Sequence, residues 1–352
     1  MDAPTVSILA PPEDHGGIGH YAAQLQARMA DTIDATHIPL YAELGVTDYV
    51  RAALHATESD VVHIQFEYGF FRPKLLYAWI FFSALFLGAR IRDVPVVVTV
   101  HEVWTPDVVG RVQYAYVWLV QLLLAITATR LVFMTEAAET DFRPRDVVAD
   151  QRIPHGVDTD EVRDIEPEEA RAAFGYNSDD TVISQIGYVS PRKGTEDFLR
   201  LAGRHPEYKF LLAGGPLRDE DKPYFQDAVE MAPANVHTTG VLSDEMFHAA
   251  FIATDVAVLA YHDIRQSGIL NWCFAYGVPV VCRAIDRFQA LSARGAPLVL
   301  FDESGHYPSI DEAVDTALAE ATGRAESMRA FGAERDFSQV ARQYIDLYQS
   351  LR

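Results

Sequence analysis

The sequence predicts an α/β protein made of two Rossmann-like domains, each a parallel sheet covered on both faces by helices. Three observations lead there. Short continuous runs of Val, Ile and Leu alternate with helix-length segments along the chain, as parallel strands buried on both faces require. Its 352 residues are too many for one ordinary domain and suit two. In the second half, two strand-to-helix loops carry Gly, Ser and cations, at the strand ends where open α/β sheets hold ligands.

The strands are read in order. TVSILA (5–10), VVHIQF (61–66), PVVVTVH (95–101) and RLVFMT (130–135) belong to the first half. TVISQIGYV (181–189), KFLLAGG (209–215), DVAVLAY (255–261) and PVVCR (279–283) belong to the second. Residues 1–160 are assigned to the first domain and 161–335 to the second. Segment 157–178 is polar and turn-rich, and reads as the linker. Residues 336–352 form a last amphipathic helix carrying Phe337, Val340, Tyr344, Ile345, Tyr348 and Leu351. Internal repeats and low-complexity tracts are absent.

Composition narrows the function. A hydrophobic fraction of 49% with 11% aromatics excludes a disordered chain. Fifty acidic residues oppose 29 basic ones, a net charge of −21. That excess argues against a nucleic-acid partner, which needs basic surface. The lysines are four: Lys74, Lys193, Lys209 and Lys222. An acid-rich, Lys-poor surface suits a halophilic cytoplasm, with GC-rich codon bias as the plainer source of Arg over Lys. Cys273 and Cys282 fall in apolar segments and read as free, buried thiols. The N-terminus reads as a first strand and has no signal-peptide pattern, so a cytoplasmic location is expected.

The stretch 255–283, DVAVLAYHDIRQSGILNWCFAYGVPVVCR, is the most informative. It reads as buried strand, polar loop, helix and buried strand. Gly277 and Pro279 stop the helix. Gln266, Ser267 and Gly268 stand at its start, where unpaired backbone N–H groups and the positive dipole end favour a phosphate. Upstream, IGYVSPRKG places Arg192 and Lys193 between a strand and a helix. Two anion-holding elements in one half point to a diphosphate-linked ligand such as a nucleotide-sugar. In HGGIGHY, Gly16, Gly17 and Gly19 permit either a tight turn or a close ligand contact. Their spacing is GGxG, with no Walker lysine, which fits neither a dinucleotide fingerprint nor a P-loop. His101 ends a buried strand, as a ligand-facing or a core histidine, with Glu102 as a nearby polar partner. Asp158-Thr159-Asp160 has DxD spacing but lies in the linker turn, so it is read as structural and no metal is expected.

Segments 75–89 and 112–129 carry no charge over 15 and 18 residues. Each approaches membrane-span length, yet each leads directly into a strand. They read either as buried crossover helices or as helices at a membrane interface with aromatics exposed. Residues 61–135 hold six basic side chains (Arg72, Lys74, Arg90, Arg92, Arg111, Arg130) and four acidic ones (Glu67, Asp93, Glu102, Asp107), a net of +2 in an otherwise acidic chain. The expected partner is an anionic membrane surface on the inner face of the cell membrane.

Taken in order, these segments resemble the retaining glycosyltransferases of family 4, also called group 1, over nearly the whole chain. HGGIGHY resembles that family's acceptor-side loop, TVHEVW its strand-end histidine segment, and IPHGVD its domain-crossing turn. GYVSPRKG resembles its donor-phosphate loop. LAGGP, VLSDEMFHAAFIATDVAVLAY and SGILNWCFAYGVPVV resemble the later elements. The resemblance implies the GT-B fold, two Rossmann-like domains facing each other across a cleft, with residues 336–352 packing back on the first domain. It implies a nucleotide-diphosphate sugar held mainly by the second domain, an acceptor held by the first, and a hexosyltransferase-type reaction with no metal or organic cofactor. His101, Asp263 and Lys193 are then the catalytic candidates. Arg192, Lys193, Gln266, Ser267, Gly268 and Asn271 hold the donor, and Gly16, Gly17 and Gly19 line the acceptor side. A lipid-linked or membrane-borne acceptor, in glycan or glycolipid synthesis, is the expectation.

The sequence departs from that family at two places. Its frequent Glu-x7-Glu pair is Asp263 and Asn271 here, a shorter acid and an uncharged amide. Its frequent Gly-Arg is Gly187-Tyr188, which leaves Arg192 and Lys193 as the cations. Breaking a sugar–phosphate bond builds negative charge on the diphosphate. Those cations and the N–H groups near Ser267 would stabilise it, each contact worth on the order of 3 kcal/mol. The alternatives are a catalytically silent GT-B subunit that partners another glycosyltransferase, which Asn271 favours, and a GT-B sugar epimerase or phosphorylase. No cofactor-lysine site marks a phosphorylase.

Overall fold

The computed structural model describes residues 3–42, 44–71, 75–264 and 267–352. Its contacts divide the chain into two units, Met1–Gly156 with Phe337–Arg352, and Val157–Asp336. The divisions fall a few residues from the boundaries drawn on the sequence.

The first unit holds strands β1 (Thr5–Ala10), β2 (Asp34–Pro39), β3 (Val61–Phe66), β4 (Val96–Val100), β5 (Arg130–Phe133) and β6 (Asp150–Arg152). All pair in parallel, in the order β2-β1-β3-β4-β5-β6. The order reverses between β1 and β3, which opens a crevice at their carboxyl ends. Successive strand residues face opposite cores. Leu9, Val62, Ile64, Val98 and Phe133 pack with Phe71, Phe81, Phe82 and Leu124. Ile8, Val61, Val97 and Val132 pack with Tyr21, Leu25, Tyr344 and Tyr348. Each fully buried Phe of the first core contributes about 2–3 kcal/mol of transfer free energy.

The second unit repeats the plan. Its strands are β7 (Val182–Ile186), β8 (Lys209–Ala213), β9 (Val236–Thr238), β10 (Val256–Leu259), β11 (Val280–Arg283) and β12 (Val299–Phe301). They run parallel in the order β12-β11-β10-β7-β8-β9, so the reversal lies between β7 and β10. Helix Gly268–Tyr276 is apolar on nearly every side and buries Leu270, Cys273, Phe274, Ala275 and Tyr276. Gly277 ends it at φ 73°, a left-handed position that glycine takes without a Cβ penalty.

Four strands went unread in the sequence: β2, β6, β9 and β12. β6 and β9 have three residues each and no fully buried side chain, and β2 buries only Ile38. β12 is buried, but its three residues are too few to show a period. The linker reading of 157–178 also needs correction. Helix Pro167–Ala172 lies within it, and Ala170, Phe174 and Tyr176 are buried in the second core. Acids flank this short run, Glu166, Glu168 and Glu169 before it and Asp179 and Asp180 after it, which hid the pattern. The turn before it packs closely against the start of the last helix. A Cβ on Gly156 would stand 2.6 Å from the Phe337 ring.

The uncharged segments form helices Leu76–Arg92 and Arg111–Thr127, which pack against each other. Among the described residues no helix is long and apolar enough to cross a membrane. The last helix, Phe337–Ser350, lies against helix Gly17–Met29 in the first unit. Cys273 and Cys282 are buried and free.

Candidate functional site

The switch point of the second sheet gathers the predicted phosphate-holding residues. Gly187 follows β7 with φ 98°. A Cβ there would lie 2.9 Å from the Ile269 side chain and 3.1 Å from Lys193 Nζ. Gly187 thus leaves room for the lysine, and the first turn of helix Gly268–Tyr276 meets the same point. Ser267 caps that helix, its Oγ accepting from Leu270 N at 3.1 Å. The N–H groups of Gly268 and Ile269 open the helix, where a first turn offers no intrahelical acceptor, and stand available to an anion.

Lys193 is held by its surroundings. Gln185, buried beneath it, donates Nε2 to Lys193 O at 3.2 Å and to Thr195 Oγ1 at 3.1 Å. Gly194 turns the chain at φ 65°, and a Cβ there would meet Ala260 O at 2.0 Å. The turn is therefore pressed onto the end of β10, and the ammonium comes over the ring of Tyr261 at 5.6 Å. Burial lowers the Lys193 pKa to about 8, because an ammonium loses hydration there and no carboxylate replaces it.

The other predicted donor residues stand differently. Arg192 is mostly exposed and reaches Asp263, equally exposed, at 3.5 Å. Such a pair contributes little by itself. His262 N donates to Arg192 O at 2.9 Å, and His262 Nε2 lies 3.4 Å from Asp197. Asp197 also accepts from Arg283 and Arg200, so an ion cluster underlies the loop. Asn271 is in the first turn of helix Gly268–Tyr276, partly buried. Gln266, with Arg72 and Lys74 of the basic zone, lies outside the described residues.

In the first unit, Gly16 precedes helix Gly17–Met29 at φ 90°, and Gly16 and Gly17 are exposed with open space around them. Gly19 differs. Its Cβ would meet Pro12 O at 2.0 Å, so close packing of helix on loop explains that glycine. His101 follows β4 and is partly buried, its N–H donating to Phe66 O at 3.1 Å. Its Nε2 lies 2.7 Å from Gln65 Oε1. Burial, with His155 and His63 nearby, lowers the His101 pKa to about 3. The ring is neutral at physiological pH.

Tyr261, Gln185 and Gln65 were missed in the sequence. Tyr261 carries no local signal, and Gln185 carries only a polar side chain inside an all-buried strand. Gln65 carries one: His63 and Gln65 alternate in a strand whose six residues are all buried, and buried polar groups need partners.

Two parallel six-stranded Rossmann-like units, each with ligand-facing loops at its switch point, define the GT-B fold. Solved structures agree. Anabaena HepE in complex with UDP and glucose matches with a TM-score of 0.74 and 14% identity over 99% of this chain and 100% of that one. Sucrose-phosphate synthase from Thermosynechococcus elongatus matches with a TM-score of 0.73 and 16% identity, over 99% of both. At such identities the likeness establishes the fold. No family model matches the chain. Among curated proteins, the alpha-galactosylglucosyldiacylglycerol synthase of Streptococcus pneumoniae is 25% identical over 146 residues, 40% of this chain and 39% of that protein. The D-inositol 3-phosphate glycosyltransferase of Mycolicibacterium smegmatis is 26% identical over 162 residues, 43% and 35% of the two chains. That of Mycobacterium bovis is 38% identical over 141 residues, 37% and 28%. The matches thus span less than two thirds of these relatives' length. They bear out the resemblance to family 4 glycosyltransferases.

Proposed function

We propose that this protein is a glycosyltransferase that moves a sugar from a nucleotide-diphosphate sugar to an acceptor, with retention, in glycan or glycolipid synthesis. The observation that carries the reading is the convergence of Lys193, Gly187 and the Ser267-capped helix at the β7/β10 switch point. A diphosphate placed there meets a desolvated ammonium and open backbone donors. Both strengthen as negative charge develops on the leaving group. Curated relatives that are glycosyltransferases support the same reaction class. The second unit is assigned to the donor and the first to the acceptor. His101 is assigned to the transferred sugar and Asp263 to its reacting face. A silent subunit would bind the nucleotide without turning it over, and Asn271 in place of an acid is the feature that favours it. Thermal shifts with a panel of nucleoside diphosphates, followed by donor hydrolysis and transfer, separate the readings. Stabilisation by one diphosphate with turnover of its sugar is expected. Stabilisation without turnover leaves the silent subunit, and no stabilisation by any nucleotide refutes the donor site.

The acceptor is proposed to be lipid-linked, reached by peripheral docking of the first unit on the inner membrane face. Helix Leu76–Arg92 leaves Leu76, Leu87 and Ile91 exposed, and helix Arg111–Thr127 leaves Val112, Leu119 and Ile126 exposed, with Trp118 beside them. In each helix these residues recur at helical spacing, so they form stripes directed away from the core. Arg90, Arg92 and Arg111 are exposed near the stripe ends. Apolar insertion would supply most of the affinity, and each Arg near anionic lipid about 1 kcal/mol. One relative is a synthase of a glycosylated diacylglycerol. A halophilic source, read from the net charge of −21, would screen that electrostatic share and leave the apolar stripes dominant. Flotation with anionic liposomes across a salt series tests the docking. A protein that stays with the aqueous phase at every salt concentration defeats it.

A further inference from the structure

A buried chain of polar side chains runs behind His101, all of it within the first unit. Gln65 bridges two imidazoles. Its Oε1 lies 2.7 Å from His101 Nε2, and its Nε2 lies 3.2 Å from His63 Nε2. His63 Nε2 is 2.8 Å from Thr99 Oγ1, which is 2.8 Å from Tyr344 OH. Tyr21 OH is 3.4 Å further on, donating to Tyr344 OH. The other nitrogen of His63 meets Tyr348 OH at 2.5 Å. His63, Gln65, Thr99, Tyr21, Tyr344 and Tyr348 are all fully buried.

The bridge constrains where protons sit. A carboxamide has one accepting end and one donating end. Joined to Nε2 of both rings, it requires Nε2–H on one and a bare Nε2 on the other. With the carbonyl toward His101, as here, His101 carries its proton on Nε2 and His63 on Nδ1. Turning the amide end over end reverses both. In either case the two rings are opposite at Nε2, and the ring with the bare Nε2 is neutral.

We infer that Gln65 is a positioning residue that fixes His101 as a single neutral tautomer, with His63 and the C-terminal tyrosines Tyr344 and Tyr348 anchoring Gln65 in turn. The inference rests on the assignment of His101 to the transferred sugar. Its chemical value follows from the charge that develops there. Breaking the sugar–phosphate bond makes the anomeric carbon positive. An imidazolium beside it would oppose that charge, whereas a neutral ring with a defined lone pair accepts from a sugar hydroxyl. With the carbonyl toward His101, that lone pair is on Nδ1. The titratable groups around the ring are His63, the Tyr21 phenol at 5.3 Å between ring centres, His155, whose ring lies 4.9 Å from that of Tyr21, and Glu102 next in the chain. Burial lowers the pKa of both His63 and His101 to about 3, and it raises the Tyr344 and Tyr348 phenols. These two histidines and two tyrosines are uncharged across the physiological range.

The test is imidazole nitrogen NMR on the full-length, isotope-labelled protein from pH 5.5 to 8.5. His101→Asn and His63→Asn assign the two rings among the 12 histidines. The expected spectrum shows two non-titrating rings of opposite tautomer. Two rings of the same tautomer, or a His101 ring that titrates near its ordinary value, overturn the inference without any donor being present. In Gln65→Met, an apolar replacement of similar length, His101 should show mixed tautomers. Turnover should fall roughly 10- to 100-fold, the range seen when a histidine's orienting partner is lost, while the donor KM stays within about twofold. Unchanged tautomer and turnover in that variant also overturn it. If the wild type turns over no donor at all, the glycosyltransferase reading fails, and the spectra still decide whether Gln65 orders the rings.

Discussion

Replacing Lys193 with Met should stabilise the fold and abolish transfer in one step. Lys193 is partly buried, and its pKa falls from an ordinary 10.5 to about 8 because burial disfavours the charged form. Lys193 is thus a base whose folded pKa is depressed. Between pH 8 and 10.5 the unfolded chain holds the proton and the folded chain does not, so stability rises with pH across that window. Below pH 8 both states are charged, and the folded state carries the whole desolvation cost. That difference is equivalent to about 3 kcal/mol, and residual solvent contact reduces it to roughly 1–2 kcal/mol. Met keeps the chain length over Tyr261 without the charge. Urea unfolding at pH 7 should therefore shift in favour of the variant, and the gain should vanish above about pH 10. The donor side gives the opposite sign. A bound diphosphate holds the proton on Lys193, so donor affinity should fall about tenfold between pH 7 and 9, as the free lysine loses its charge. Lys193→Met should lack that slope along with most of the affinity. A variant that is less stable than wild type at pH 7, or that keeps full transfer, refutes the reasoning.

Three further outcomes are expected. Gly194→Ala forces a Cβ to within 2.0 Å of Ala260 O at φ 65° and should cost at least about 2 kcal/mol in urea unfolding, with the Lys193 turn displaced. His63 and His101 have folded pKa values near 3, below an ordinary 6.5, so their contribution to stability is complete above pH 6.5 and lost on acidification. Between pH 7 and 5 each ring should cost up to about 2 kcal/mol, read as a drop in the urea midpoint that His63→Gln makes shallower. Val112→Asp with Leu119→Asp places charge on an exposed stripe; liposome flotation should be lost while the thermal midpoint stays within a few degrees.

The central strands were legible because both of their faces are buried. β3, β4, β7 and β10 consist entirely of buried residues, so β4 and β10 read as nearly continuous apolar runs, and β3 and β7 as apolar runs broken only by His63, Gln65, Ser184 and Gln185. β2, β6 and β9 pair on one side or are short, and part of their surface meets solvent, so polar residues break the run. The two uncharged segments show a different limit. Composition could not separate a crossover helix from an interfacial one, and the structure shows features of both. Phe81, Phe82 and Leu124 are fully buried, while Ile91 and Val112 are 82% and 89% exposed.

The site divides along the same line. Lys193 and Ser267 were legible because their signals are local: a cation after a strand, and a small hydroxyl residue before a helix. Their common target was expected because both follow strands of one half, but the contact that joins them, Gly187 against Ile269 across a long separation in sequence, was not. His101 was legible from its strand end, but its protonation was not. That state depends on Gln65, two positions along β3 from His63, and on Tyr344 and Tyr348 near the C-terminus. A residue's identity therefore marks where chemistry can occur, whereas its charge is decided by partners that only the fold supplies. In this chain burial makes Lys193 easier to discharge and keeps His101 from being charged. On the proposed function, a lysine poised near pH 8 suits a developing negative charge and a histidine held neutral suits a developing positive one.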